Sequence, residues 1–388
     1  MAGGNEVGCK VAVIGAGPGG LSAAREACAH GLDVTLFEKA GIGENISCAE
    51  GFFDLLKMLA PPTAGICFPV TEIIFSVIDT FVVDSSSLNI WMIDRSTWQK
   101  SLAAAAVAEG CQLVEYFPVT PQVYQRLERE YDWIIDASGV RPLSGKIYSL
   151  PTVRTAPTAQ YTIAGDFARL QGKIKVVADP GCRGYGWIFP KSDKAANVGL
   201  AWFGRRKEKR RLHAALQQFI AQAGLQANPV LHKAGGPIPI SRRPRLVYGK
   251  TLLVGDAAGL CSPLHGGGID TACISGILAA RAIACRQTEQ YEQSVEKIIG
   301  ARLKLEQKIC AVWENSDLQT FNDLLALAFG SGKPTGLQSL LLTLTQEAAI
   351  LSYVQSGKMR ADWEKGLITE GLPLLAKIFV RVMAAKCF

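Results

Sequence analysis

Two glycine-rich turns, well separated in a chain of 388 residues, carry the residue types most able to do chemistry. The first is Gly15-Ala16-Gly17-Pro18-Gly19-Gly20, which follows a short apolar run at Lys10–Ile14 and opens a helical pattern closed by Gly31. Gly15, Gly17 and Gly20 have the GxGxxG spacing. The first glycine permits a sharp turn, the second lets backbone approach a pyrophosphate, and the third lets helix and strand pack closely. The helix start then offers free N–H groups and the positive end of its dipole to phosphate. Asp33–Phe37 reads as a second strand, and Glu38 at its end is placed to accept hydrogen bonds from a ribose hydroxyl pair. Pro18, Gly19 and Lys39 join these residues as expected dinucleotide contacts. The loop alone leaves NAD and FAD open.

The second turn ends the apolar strand Thr251–Val254 in Gly255-Asp256-Ala257-Ala258-Gly259 and continues through Pro263-Leu264-His265-Gly266-Gly267-Gly268-Ile269. It resembles the second flavin-binding motif of the aromatic-hydroxylase-type flavoproteins. The resemblance implies FAD, with Asp256 on the ribityl chain and a glycine turn that opens a helix beneath the isoalloxazine. Pro263, Gly266, Gly267, Gly268 and Ile269 are the contacts it implies there. Such a helix N-terminus can stabilise negative charge on a reduced flavin's N1–C2=O edge.

Within that superfamily the chain is most similar to the geranylgeranyl reductases. Cys48-Ala49-Glu50-Gly51 is close to the family's Cys-Gly-Glu-Gly, with Ala49 in place of a glycine. Gly184-Tyr185-Gly186-Trp187-Ile188-Phe189-Pro190-Lys191 matches its Tyr-x-Trp-x-Phe-Pro substrate-site motif, and Asn197-Val198-Gly199-Leu200 continues the expected strand. Asp94-Arg95 matches an arginine that reaches the FAD. The resemblance implies FAD-dependent reduction of C=C bonds in a geranylgeranyl or polyprenyl chain of a lipid, quinone or pigment precursor. It makes Tyr185, Trp187, Phe189 and Pro190 the substrate contacts. His265 departs from the family, which has a small hydroxyl residue there.

That reaction needs a hydride from the flavin on one carbon and a proton on the other. Tyr185, Trp187 and Phe189 alternate with period two, so they face one side of a strand. Aromatic walls suit an isoprenoid, although an ordinary sheet core has the same pattern. Cys48 is read either as a proton donor or substrate contact, or as a buried structural cysteine. His265 is read as a proton donor or as a neutralising group, since an ordinary imidazole titrates near neutrality. With Tyr185 and Trp187 these form the catalytic set, while Glu50 is expected to bond backbone within its own turn. One enzymatic rival is an FAD monooxygenase or halogenase; another reading is a non-catalytic flavoprotein that passes electrons or binds isoprenoid. No second GxGxxG unit is present, so electrons are expected from transiently bound NAD(P)H or a reduced ferredoxin-like carrier protein.

The elements that must position these groups follow from local pattern. Lys10–Glu38 is a βαβ unit of the usual length, about 30 residues. Cys111–Glu115 and Trp133–Ala137 read as further parallel strands. The interval between them is shorter than in the family the chain resembles, which implies that a hairpin of the nucleotide domain is trimmed. A helix is expected from a cap at Ser96 or Thr97 to Ala108. Glu72–Val77, Phe81–Val83, Ile174–Ala178, Gly186–Phe189 and Asn197–Phe203 read as strands of an inserted antiparallel sheet, with one helix near Arg210. The fold class is therefore α/β. A discontinuous Rossmann-type FAD domain covers 1–62, 90–150 and 245–290, the substrate sheet 63–89 and 151–244, and a helical region 291–388, with turns at Gly330–Gly336 and Gly371-Leu372-Pro373.

Composition bounds the rest. Lys plus Arg is 41 against 34 Asp plus Glu, a net charge of +7 that is too dispersed for a nucleic-acid partner. It suits anionic lipid, phosphate or an acidic partner. Eleven cysteines without a CxxC pair argue against a disulfide framework or a zinc site and fit a reducing cytoplasm. No uncharged apolar run is long enough to span a bilayer, and no signal peptide or myristoylation site is read at the start. Arg205–Arg211 is either a solvated helix start or a patch for headgroups, phosphate or an electron carrier. Leu374–Phe388, with Lys377 and Arg381 one turn apart, either lies on a membrane surface as a peripheral contact or packs as a core helix.

Overall fold

The computed structural model describes residues 8–179, 184–203, 209–315, 318, 319 and 322. The expectations for residues 205–208, for both glycine turns beyond residue 329 and for Leu374–Phe388 lie outside the described residues.

A six-stranded sheet carries both glycine turns at its strand ends. Its order is Val247–Tyr248, Thr251–Leu253, Trp133–Asp136, Lys10–Ile14, Asp33–Phe37 and Gln112–Val114. All pairings are parallel except the first. Parallel strands covered on both faces read as unbroken apolar runs, and Val11, Ala12, Val13, Leu36, Ile134, Ile135, Leu252 and Leu253 are all at most 1% exposed. The Pro18–Ala29 and Ile269–Ala284 helices cross in near backbone contact. A Cβ on Gly276 would lie 2.2 Å from the Gly19 carbonyl oxygen. The helices that begin at the two turns are thus locked together, which fixes the turns relative to each other.

The interval after Gln112–Val114 holds a helix, Pro121–Glu130. Pro121 at its first position and the Thr120 side chain accepting from Val123 N at 3.3 Å start that helix. The Arg95–Ala108 helix is capped by Asp94, whose Oδ1 accepts from Thr97 N at 2.7 Å, and not by Ser96 or Thr97.

The second sheet has seven strands, in the order Val230–Pro239, Thr155–Ala164, Ala195–Trp202, Gly184–Ser192, Lys173–Asp179, Glu72–Ser76 and Thr80–Asp84. It is antiparallel except between Lys173–Asp179 and Glu72–Ser76, which run parallel. One face is covered by the Lys209–Gln222 helix, where Leu212, Leu216, Phe219 and Ile220 pack on Ile188, Val198 and Leu200. The other face holds Trp187 and Phe189 with Leu55, Phe68, Met92 and Phe203. A small sheet of Gly51–Phe53, Ile90–Ile93 and Ile66–Pro69 stands against it. The Tyr291–Val295 helix, a π-helical turn at Glu296–Gly300 and the Ala301–Asn315 helix follow the nucleotide sheet.

Candidate active site

The phosphate loop is shaped by what its glycines leave out. Gly15 has φ +97°, and a Cβ there would sit 2.6 Å from the Ala137 carbonyl oxygen. A Cβ on Gly20 would sit 1.9 Å from the Gly15 oxygen, so only glycine closes this turn. A Cβ on Gly17, by contrast, meets nothing within 4 Å. The loop therefore presents bare, open backbone at the helix start, which fits a pyrophosphate. Glu38 Oε2 accepts from Ala16 N at 2.7 Å and Oε1 from Ala40 N at 3.1 Å. Each carboxylate oxygen keeps acceptor capacity for a ribose hydroxyl. Gln99 Nε2 donates to Ala16 O at 3.1 Å, and Arg95 Nε donates to Gln99 Oε1 at 2.7 Å. Lys39 is exposed beside this edge.

The second turn is equally constrained. Gly255 and Gly266 have φ +55° and +65°, the left-handed region that favours glycine. Ser262 Oγ accepts from Leu264 N and His265 N at 3.2 and 3.1 Å, and Gly267 N donates to His265 Nδ1 at 3.2 Å. A Cβ on Gly268 would lie 2.5 Å from Cys261 Sγ and 3.5 Å from Asp256 Oδ1, so the turn runs directly over these two side chains. Burial raises the Asp256 pKa, while the Cys261 thiol, which donates to Oδ1 at 2.9 Å, and the charge of Arg95 pull it back. The Cys261 thiol itself is pushed up by burial and by Asp256, so it stays a donor. Arg95 thus acts on both halves of the cradle. Buried Arg243 holds the far side, donating from Nε to Ala257 O at 2.6 Å. Pro263 and Ile269 are buried at the two ends of the turn. Open backbone at Gly17, a carboxylate at Glu38 and a glycine turn over Asp256 together fit the polarity of FAD.

The aromatic strand meets this cradle. Tyr185 OH donates to His265 O at 2.6 Å, pinning the strand to the second turn. Burial pushes the Tyr185 pKa up, so the hydroxyl remains a donor. Ring centroids step from Tyr185 to Trp187 at 6.0 Å, from Trp187 to Phe189 at 6.5 Å, and from Phe189 to Phe53 at 6.5 Å. Phe53 continues to His265 at 5.5 Å. Trp187 and Phe189 are buried, as is Pro190, whereas Tyr185 and Phe53 are half-buried. The row is therefore partly core. Gly199 faces Trp187 across the strand pair, and a Cβ there would lie 2.1 Å from the indole.

Three polar residues, Gln160, Glu50 and Asn197, tie the strand to the cradle. Gln160 Oε1 accepts from Trp187 Nε1 at 3.0 Å, while its Nε2 donates to Cys48 O at 3.0 Å. Cys48 Sγ accepts weakly from Glu50 N at 3.2 Å. Glu50 does not serve only its own turn. Its Oε1 accepts from Arg95 N at 3.1 Å, and its Oε2 bonds Lys191 Nζ and, at 2.8 Å, Asn197 Nδ2. Glu50 has φ +66°, a strained conformation for a side-chain-bearing residue. A polar residue inside an alternating apolar strand, such as Gln160 or Asn197, was the available sequence signal. Burial lowers the His265 pKa, with Glu306 and Asp270 opposing that effect and Arg302 adding to it.

Comparison with known proteins agrees with this geometry. Residues 160–238 match the model of the geranylgeranyl reductase catalytic domain, and residues 13–50 match an NAD(P)-binding Rossmann-like domain. The chain is 32% identical over 302 residues to a digeranylgeranylglycerophospholipid reductase of Methanosarcina mazei, covering 70% of this chain and 74% of that protein. It is 30% identical over 357 residues to a digeranylgeranylglycerophospholipid reductase 2 of Methanopyrus kandleri, covering 81% and 89%. Among solved structures, a geranylgeranyl bacteriochlorophyll reductase-like protein from Thermoplasma acidophilum has the same fold, with TM-score 0.72, 20% identity and coverage of 92% and 97%. The flavin-dependent brominase Bmp2 shares the fold at TM-score 0.63 and 14% identity, covering 86% and 92%. With a cradle fit for FAD, the aromatic strand pinned to it and these relatives, the chain belongs to the geranylgeranyl reductase family of FAD-dependent flavoproteins.

Proposed function

We propose that this protein is an FAD-dependent oxidoreductase that reduces C=C bonds in the geranylgeranyl chains of an isoprenoid lipid, of the kind named in its digeranylgeranylglycerophospholipid reductase relatives. The observation that carries this reading is the bond from Tyr185 OH to His265 O at 2.6 Å, which fastens the Tyr-x-Trp-x-Phe-Pro strand to the flavin turn. Bound FAD supplies hydride chemistry that no side chain can. The chain's own residues do the remainder. Gly15, Gly17, Gly20 and Glu38 hold the dinucleotide half, and Arg95, Asp256 and Gly266–Gly268 hold the flavin half. Tyr185, Trp187, Phe189 and Phe53 offer an apolar wall along which a prenyl chain lies and from which water is excluded. Cys48 and His265 are the candidate proton carriers, since Tyr185 is committed to the His265 carbonyl.

In this reading the parallel sheet serves the cofactor and the seven-stranded sheet the substrate. The electron donor is NAD(P)H bound in passing or a reduced ferredoxin-like carrier. A lipid substrate calls for peripheral contact with a membrane from the cytoplasmic side, and the net charge of +7 favours anionic headgroups. No helix among the described residues is long and apolar enough to cross a membrane.

The test is anaerobic. The protein's flavin is reduced, a geranylgeranyl lipid is added, and flavin reoxidation is followed together with product mass. Reoxidation with a gain of two hydrogens per double bond supports the reading. Flavin that stays reduced with every prenyl compound, but reoxidises with oxygen to give a hydroxylated product, replaces it with a monooxygenase.

A further inference from the structure

A group of buried ionisable side chains lies behind the second glycine turn. Arg302, on the Ala301–Asn315 helix, has a side chain 0% exposed and bonds Asp270 Oδ2 at 2.7 Å and Glu306 Oε1 at 2.9 Å. Asp270 sits in the first turn of the helix that the glycine turn opens. Glu306, 2% exposed, places Oε1 3.9 Å from His265 Nε2. Among the described residues, His265 Nε2, Arg302 Nη2 and Glu306 Oε2 are sealed from solvent without a hydrogen-bond partner. A buried polar atom left unpaired forfeits its hydration without a compensating hydrogen bond. Three in one group are an expensive arrangement for packing alone, and this one adjoins the cofactor turn.

Geometry assigns the imidazole's proton. The Gly267 N–H can only donate, and it donates to His265 Nδ1 at 3.2 Å. The ring proton of the neutral form is therefore on Nε2, towards Glu306. A second proton can enter only at Nδ1, and its arrival must break the Gly267 bond. The Gly267 amide is then free to donate into the cradle.

We propose that His265 is a proton switch for the flavin turn, in which proton uptake at Nδ1, balanced by Glu306, releases the Gly267 amide to negative charge arriving on the cofactor. The proposal rests on the flavin reading of this turn. Among the described residues, each charged group acting on the ring has a part. Glu306 on the Ala301–Asn315 helix and Asp270 on the Ile269–Ala284 helix favour the imidazolium, and Arg302 and burial oppose it. Tyr185, from the aromatic strand, holds the His265 carbonyl and so keeps the residue in place. The balance closes over a turnover. Two electrons from the donor arrive with two protons, one to the ring system and one to His265. Reduction of the double bond then consumes one hydride and one proton, and His265 returns to its neutral form.

The experiment is a spectroelectrochemical titration of the full-length holoenzyme across neutral pH. The expected result is two protons per electron pair, seen as a pH slope of the midpoint potential twice as steep as that of His265→Gln. Glu306→Gln is expected to move the bend in the wild-type plot to lower pH. Equal slopes in wild type and H265Q overturn the proposal. If a variant does not fold, the wild-type protein labelled with 15N-glycine gives an independent readout. The Gly267 amide resonance should shift on reduction with the same pH midpoint as the His265 ring, and a Gly267 signal that does not move overturns the switch. A one-proton slope rejects the switch while leaving prenyl reduction standing, whereas failure to bind FAD rejects both.

Discussion

The Trp187 indole donates to Gln160 Oε1 at 3.0 Å, and Gln160 passes the connection on through Nε2 to the Cys48 carbonyl at 3.0 Å. One buried amide therefore sets both the tilt of the aromatic wall and the path of the loop before the small sheet. Gln160→Leu leaves an indole N–H and a carbonyl unpaired, at about 1–3 kcal/mol for each buried group. Thermal unfolding should fall by several degrees, and kcat on a prenyl lipid should fall about tenfold or more, since misplacement near the reacting centre is costly. Gln160→Glu keeps an acceptor for Trp187 and is expected to retain much of the emission spectrum of that tryptophan. A Leu variant indistinguishable from wild type in both stability and turnover would remove Gln160 from the site.

Gly199 gives Trp187 its space. Replacing it with alanine puts a methyl where the indole now lies, 2.1 Å from its nearest ring atom. Overpacking of this kind costs typically about 1–3 kcal/mol. We expect G199A to bind FAD with an unchanged visible spectrum while losing activity on long prenyl chains more than on short ones. Equal losses on both lengths would show that the indole does not shape the substrate path.

Gly17 separates cofactor binding from folding. A Cβ there meets no protein atom within 4 Å, so Gly17→Val should leave the apoprotein within about 1 kcal/mol of wild type. The side chain would instead occupy the ground of the pyrophosphate, and FAD should no longer be retained through gel filtration. Wild-type protein with FAD at 100 times its Kd gains about 2.7 kcal/mol, a thermal shift that the variant should lack.

Asp256 carries a cost in apoprotein stability that the proposed role in FAD binding would explain. Burial raises its pKa, so the folded apoprotein binds a proton more tightly than the unfolded chain does. Its contribution to stability is therefore fullest below the unfolded pKa and is lost as pH rises through the raised folded value. Asp256→Asn removes that loss and should stabilise the apoprotein by about 1 kcal/mol at neutral pH while weakening FAD binding. Denaturant melts of both apoproteins at acid and neutral pH measure the effect. The gain should be present at neutral pH and shrink in acid.

Much of the nucleotide half was legible because its signals are local. Lys10–Glu38 declares a strand, turn, helix, strand and acid within one short stretch, and Tyr185, Trp187 and Phe189 show their common face by alternation. The ties between the halves were not legible in the same way. Glu50 meets Arg95, Lys191 and Asn197, and Arg302 meets Asp270, only once three sheets and two helices have assembled. Helix capping failed for a different reason. Asp94, Ser96 and Thr97 can all cap, and the backbone turn at Asp94 decides between them. The Pro121–Glu130 helix carries a local signal in Thr120 as its cap and Pro121 at its start.

Gly15 and Asp256 end strands that flank the same central strand, Trp133–Asp136, on its two sides. The strand bearing Asp256 is nevertheless made long after the one bearing Gly15. A ribosome must therefore release the whole substrate sheet before the two halves of the cradle can meet. If this cradle holds FAD as proposed, a chain terminated anywhere before Thr251 has Gly15, Gly17 and Glu38 without Asp256 and Gly266–Gly268, and added FAD should not restore it.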